Sequence, residues 1–307
     1  MKRVLFAATM MLAMTYGFGQ TTEAEKQLTT QKVDTLLGWK KGGVVNINVS
    51  QTSLTNWAAG GQSSIAVNGL LSLFAHNKQE KSLWENYLDL AYGTLRQGKD
   101  ADWWKTDDKI DFTSKYGLKA TEKLYYAGLL NFKTQMADGF NYPNDSFKIS
   151  DFLAPGYLLL ALGLDYRPGE NFAVFFAPIT YKLTLVNDDF LSDVGAFGVD
   201  PGEHHRSEFG GYLRSFLKMD LMENIAFQTK LDLFSNYLHN PQNIDVSWEC
   251  LLSMKVNKFF SATLSTHLLY DDDVDIAVDD NDDGVAEDYE PRLQFKEVLA
   301  IGFSMNF

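Results

Sequence analysis

The densest chemistry in the chain is an acidic segment near its C-terminus. Residues 271–290 hold eleven Asp or Glu and neither Lys nor Arg. Within it Asp279, Asn281 and Asp283 fall on alternate positions, Gly284 follows, and Glu290 closes a twelve-residue frame. Calcium loops place side-chain oxygens at positions 1, 3, 5 and 12, a backbone carbonyl at 7, and Gly at 6 for the tight turn. Position 7 is Val285. The spacing predicts a Ca2+ clip built from Asp279, Asn281, Asp283, Val285 and Glu290, of the weak extracellular kind with a dissociation constant of about 0.1–1 mM. No amphipathic helix flanks it, so a helix–loop–helix hand is not expected. The plainer reading is a solvated acidic loop with diffuse cation binding.

Histidines are the next candidates. His204 and His205 follow Asp200-Pro201-Gly202-Glu203, where a metal or acid–base role competes with a plain exposed loop. His267 lies two residues from Ser265, which places both on one face of a strand. A Ser–His pair could serve an enzyme acting on lipid or surface glycan. The face they share is predicted to be luminal, whereas a lipase needs its site toward lipid. The single Cys, Cys250, excludes an internal disulfide and any Cys-based metal centre. No phosphate-cradling glycine motif and no zinc-type spacing is present. No catalytic residue is therefore assigned, and the protein reads as a non-enzyme.

The elements that must position these groups follow a period of two. Leu158, Leu160, Leu162, Leu164 and Tyr166 share one face, against Ala161, Gly163, Asp165 and Arg167 on the other. In a strand this gives one apolar and one small or polar face. Twelve such segments are predicted, at 43–51, 62–76, 81–95, 108–119, 123–136, 156–167, 171–185, 208–221, 225–236, 244–256, 259–270 and 292–307. Many exceed the roughly 5–6 residues of an ordinary strand and meet the ~9–11 that a transmembrane strand needs. Tight connections carrying Asn77, Pro168-Gly169, Asn224 and Asn257 alternate with long ones. That alternation is the plan of an all-β, antiparallel up-and-down transmembrane barrel with short periplasmic turns and long extracellular loops. Trp39, Trp57, Trp84, Trp103, Trp104, Tyr125, Tyr126, Tyr237 and Tyr270 fall near strand ends, where interfacial girdles form.

The predicted inner face carries both signs. Glu85, Asp89, Asp111, Asp165, Asp232 and Glu249 are acidic, and Lys115, Lys133, Arg167, Lys182, Arg214, Lys218 and Lys230 are basic. Toward lipid each would cost up to about 2–4 kcal/mol. Toward the lumen they can pair, and an even mixture suits cross-strand ion pairs better than a single-sign selectivity ring. Cys250 reads as a small lipid-facing hydrophobe.

Residues 1–19 form a predicted secretory signal: Lys2-Arg3, an apolar stretch from Val4 to Met14, then small residues. Residues 20–42 read as a polar periplasmic lead, and 43–307 as the barrel. The net charge of −13 disfavours nucleic acid as a partner. Loss of Lys2 and Arg3 would make it −15, of which the segment 271–290 contributes −11.

Several segments carry a resemblance. They are Ser53-Leu54-Thr55-Asn56-Trp57-Ala58-Ala59-Gly60-Gly61, Trp84-x-Asn86 with Ala91-Tyr92-Gly93, Lys105-Thr106-Asp107-Asp108-Lys109, Ser150-Asp151-Phe152-Leu153-Ala154-Pro155-Gly156-Tyr157, Gly195-Ala196-Phe197-Gly198-Val199, Leu233-Phe234-Ser235-Asn236-Tyr237 and Gln294-Phe295-Lys296-Glu297. Together they resemble a Bacteroidota outer-membrane family known as a domain of unknown function, DUF family 3078. The resemblance implies a Gram-negative outer-membrane barrel and brings no activity or catalytic residues. Phe307 resembles the terminal aromatic signal read by the outer-membrane assembly machinery. The expected partners are outer-membrane lipid, that machinery and a surface protein contacted by the loops 137–155 and 186–207. The expected role is a narrow channel or a structural or partner-binding component.

Overall fold

A computed structural model describes residues 37–55, 61–98, 101–140, 142, 145, 147–169, 171–255, 260–278 and 288–306. The expected signal peptide, most of the polar lead, Trp57, Asp279, Asn281, Asp283, Val285 and Phe307 lie outside these residues.

Twelve antiparallel strands close into one up-and-down barrel. They are β1 (Gly38–Thr52), β2 (Ser64–Lys78), β3 (Ser82–Gln97), β4 (Trp104–Lys119), β5 (Leu124–Thr134), β8 (Gly156–Tyr166), β9 (Phe172–Leu185), β10 (His205–Met222), β11 (Ile225–Asn236), β12 (Ile244–Lys255), β13 (Phe260–Tyr270) and β16 (Gln294–Asn306). Two short hairpins rise from the long connections: β6 (Gly139–Phe140) with β7 (Lys148–Ser150), and β14 (Asp275–Val278) with β15 (Asp288–Pro291). The connection after β9 holds a one-turn helix, α1 (Asp189–Asp193), and a 3-10 turn (Ala196–Gly198). Among the described residues no helix is long and apolar enough to cross a membrane, which says nothing of strands.

The barrel begins at Gly38, ahead of the expected Gly43. Residues 38–42 pair in register with Lys78–Phe74, and Trp39 packs on Trp84 with ring centroids 5.6 Å apart. Backbone pairing and this aromatic contact outweigh the polar side chains of Lys40 and Lys41, because polarity at a rim costs nothing. The barrel closes where Val44, Val45 and Asn46 of β1 meet Asn306, Met305 and Ser304 of β16.

Alternation sets the two faces as the period of two requires. On β8, Leu160, Leu162, Leu164 and Tyr166 are exposed on the outside, while Ala161 and Asp165 are buried inside. On β5, Tyr126 is outside and Ala127, Leu129 and Asn131 are inside. Trp39, Trp84, Tyr116, Tyr126 and Tyr166 ring the outside near the short turns, and Trp103, Phe209 and Tyr237 near the long loops. The inner wall from β5 to β11 carries a packed cluster of Ala127, Leu129, Ala161, Phe175, Ala177, Tyr212 and Phe234.

One strand breaks the parity. On β9, Phe175 and Ala177 point inward, and so do Thr180 and Thr184. Odd and even positions can both face in because the register shifts: Leu162 pairs with Ile179 but Leu164 with Phe176, and Gly210 pairs with Thr180 but Tyr212 with Ala177. Pro178 sits in this bulge, where its missing N–H breaks no ladder bond. Gly163 and Gly210 occupy the flanking strands at the same level. A Cβ on Gly163 would collide with the Phe176 carbonyl, and one on Gly210 with the Ser235 carbonyl.

Candidate functional site

The inward faces converge on a network of paired charges arranged in three levels. Nearest the short turns, Arg167 donates Nε to Asp165 at 2.7 Å and Nη1 to Glu85 at 3.0 Å. Lys115 completes the group, 3.0 Å from Asp165 and 3.6 Å from Glu85. Strands β3, β4 and β8 and the turn after β8 supply these four residues, so the cluster spans the inner wall rather than joining neighbours only.

At mid-height Arg214 grips Asp232 in a fork, Nε to Oδ1 at 2.6 Å and Nη2 to Oδ2 at 2.8 Å. Tyr212 donates its hydroxyl to the same Oδ1 at 2.8 Å. A planar guanidinium matched to a carboxylate fixes geometry as well as charge. Lys230 sits 2.9 Å from Glu249. Asp111 meets Lys109 at 3.3 Å and Lys133 at 3.8 Å, and accepts from Asn131 at 2.7 Å. Ser72 donates to Asp89.

Toward the long loops Lys182 is shared by Asp245 at 2.8 Å, Glu208 at 3.3 Å and Asp271 at 3.4 Å. Arg206 pairs with Asp273, lies 3.6 Å from Glu208, and donates to the Gly198 carbonyl at 2.9 Å. The first two levels hold matched signs. This third level sets four carboxylates against two cations.

Cations also cover the aromatic part of the inner wall. Lys182 lies 5.0 Å from the Phe234 ring centroid, Arg214 5.7 Å from Tyr212 and Lys115 5.9 Å from Phe175. The packed rings and the paired charges therefore adjoin on the inner wall.

The sequence-predicted lumen residues are brought together: Glu85, Asp89, Asp111, Lys115, Lys133, Asp165, Arg214, Lys230, Asp232 and Glu249 all lie in it. Arg167, Lys182 and Lys218 face inward as well. Sequence reasoning missed Arg206, Glu208, Tyr212 and Asp245. Arg206, Glu208, Tyr212 and Arg214 share even parity on one strand, so counting by two from Arg214 finds Tyr212 and Glu208 within the expected segment 208–221, and carrying the count two residues further back finds Arg206.

The histidine candidates take structural places. His267 Nε2 contacts Ser247 Oγ at 2.9 Å and lies 4.0 Å from Glu249 Oε1. A hydrolytic triad needs the acid on the opposite ring nitrogen from the serine. Here serine and acid approach the same nitrogen, on the inner face. His204 Nδ1 meets the Val186 carbonyl at 2.8 Å, which uses it as a loop brace. Of the calcium candidates, Glu290 is described. It pairs with Arg292 and stands opposite Ile276 in the β14–β15 stem. Among the described residues no group of three His, Cys, Asp or Glu side chains could hold a metal.

Two of the family-like segments, 105–109 and 150–157, meet at the long-loop rim. Asp108 accepts from the Met136 and Ala137 amides at 2.7 and 2.9 Å, and Lys105 donates to Gln135 and the Ala137 carbonyl at 3.1 and 2.6 Å. Thr134 receives the Leu153 amide at 3.0 Å and donates to the Pro155 carbonyl at 3.1 Å. These bonds stitch the loops into a cap whose own core is Ala154, Val186, Leu191 and Val199.

Residues 49–140 match the family described as a protein of unknown function, DUF3078. The match bears out the resemblance for the segments at 53–61, 84–93 and 105–109. No curated protein matches the chain in sequence. Solved structures with a similar shape include the COG4313 outer membrane channel from Pseudomonas putida F1, at 11% identity and TM-score 0.41 over 91% of this chain and 98% of that one. The translocator domain of the autotransporter NalP from Neisseria meningitidis aligns at 9% identity and TM-score 0.38 over 94% and 93%. The NanC porin aligns at 8% identity and TM-score 0.37 over 85% and 98%.

Proposed function

We propose that the protein is a non-enzymatic β-barrel of the Gram-negative outer membrane that serves as a narrow channel for small polar or ionic solutes. Strands of 11–18 residues with an apolar outer face between two aromatic rows suit a hydrocarbon layer. In this reading the short turns face the periplasm and the long loops the outside. What supports a narrow reading is that matched ion pairs and packed aromatic rings lie together on the inner wall at mid-height. The observation that carries the reading is the uneven charge along the lumen, paired at two levels and acidic at the loop-side mouth. Such a mouth concentrates cations, and the neutral constriction beyond it limits size.

Reconstitution of the purified protein in planar bilayers is the test. Small discrete conductance steps are expected, with a reversal potential under a KCl gradient that favours K+. Asp245→Asn with Asp271→Asn should reduce that preference. A flat baseline, or an anion preference, would overturn the reading.

A further inference from the structure

The cap over the long-loop rim has a second face that the lumen does not use. On β7, Lys148 and Ser150 turn inward while Ile149, and Phe147 just before the strand, are exposed. On α1, Leu191 and Ser192 are buried while Phe190, and Val194 at the C-cap four residues on, are exposed. The Phe147 and Phe190 rings stack with centroids 6.4 Å apart. The stacked rings join the two elements, and Ile149 and Val194, exposed on the same two elements, extend the outward apolar surface.

This patch is held rigid from beneath. Lys148 bonds both Asp151, on its own hairpin, and Asp188, at 3.0 Å, which caps α1 by accepting the Leu191 amide at 2.9 Å. The buried core of Ala154, Val186, Leu191 and Val199 lies under the same elements. A loop ordered this tightly while presenting aromatic rings to solvent is not explained by folding, since exposing them gains nothing.

Charge identifies the occupant. Asp189 and Asp193 flank Phe190 on α1, both exposed, and Asp145 precedes Phe147. The connecting segments 135–155 and 186–204 contain eight acids and a single Lys, and that Lys148 is already shared by two carboxylates. His204, 3.7 Å from Asp189, is the other basic group beside it. Phosphate-bearing lipid headgroups would be repelled by this rim. A segment with apolar side chains flanked by Lys or Arg would bury the rings and meet the acids.

We propose that the patch formed by Phe147, Ile149, Phe190 and Val194 is a docking site for a cationic, amphipathic polypeptide segment of a partner protein. This goes beyond channel function and does not depend on it.

The test uses the full-length protein in nanodiscs of zwitterionic lipid. The probe is a fluorescent amphipathic peptide of Leu and Lys, compared with its Leu/Glu counterpart. Saturable binding of the Leu/Lys peptide is expected, weakening at high salt. Phe147→Ser with Phe190→Ser should weaken it about tenfold or more, as loss of anchoring aromatics does. Because both residues are exposed, urea unfolding of that variant should match wild type. Asp189→Asn with Asp193→Asn should flatten the salt dependence. Equal binding by the double serine variant, or by the Leu/Glu peptide, would overturn the proposal. So would capture of labelled lipopolysaccharide in EDTA that the double serine variant loses, because the patch would then be a lipid site.

Discussion

The lumen charges are worth most as partners. Asp232 is buried and holds both Arg214 and the Tyr212 hydroxyl. Removing one member of a buried pair strands the other, at a cost of about 3–5 kcal/mol, whereas replacing both by apolar groups is often close to neutral. Arg214→Met is therefore expected to lower the stability of the folded barrel in urea by about that amount. Arg214→Met combined with Asp232→Leu should recover most of it, and equal loss in the single and double variants would show that the fork contributes little. The Lys148 triad behaves differently because it titrates at the surface. Its hydrogen bond from Lys148 holds the Asp151 carboxyl below the usual range, and the Leu191 amide with Lys148 does the same for Asp188. Those carboxylates contribute stability above their unfolded value of about 4, and it is lost as pH falls through their lower folded values. The bonds to Asp151 and Asp188 raise Lys148, so its contribution stays complete below its unfolded value near 10.4 and fades only above that. Hydrogen exchange across 148–153, corrected for intrinsic rates, should show cap opening below about pH 4 and none between about 5 and 10. Lys148→Met should abolish that step.

Strand β9 shows how one element serves two geometries. Its lower half turns Phe175 into the aromatic cluster and its upper half turns Lys182 into the acidic mouth, and the two positions differ in parity. The bulge at Pro178 reconciles them, and Gly163 and Gly210 give its neighbours room. Gly163→Val would press its side chain into the Phe176 and Ala177 backbone. Such overpacking is expected to cost about 1–3 kcal/mol. Incomplete heat-resistant folding on gels, or a lowered urea midpoint, checks this, while Gly169→Ala, with open space around its Cβ, should behave as wild type. Pro178 is the local signal of this bulge inside segment 171–185, and counting by two passes over it. That it marks a parity change became clear only when both neighbouring registers were known.

At the scale of the whole molecule the barrel is a wall packed from inside. Phe175 and Phe234 belong to the packed cluster on the inner wall beside the ion pairs. Phe175→Ala with Phe234→Ala should open it, giving a larger unit conductance in planar bilayers together with a loss of about 3–5 kcal/mol for each ring removed. An unchanged conductance would place the narrowest point elsewhere, at the cap. The cap itself closes through barrel residues: Arg206 on β10 reaches the Gly198 carbonyl in the 3-10 turn and Asp273 in the next long loop.

The sequence alone determined the barrel, its twelve strands within a few residues, and the face of side chains on strands that keep their alternation; on β9 the bulge at Pro178 defeats the count. Leu160, Asp165 and Lys230 needed no coordinates, because in an extended chain the face of each residue follows from counting by two. The acidity of the loop region was equally local. Tertiary structure decided what counting cannot reach. It paired Arg167 with Glu85 across 82 residues and gave His267 to Ser247 rather than Ser265. It also folded the described parts of 135–155, together with 186–204, into a cap that presents Phe147 and Phe190 outward. Those outcomes depend on which strands become neighbours and on the register between them. That choice is made by closure of the whole sheet, and no single segment contains it.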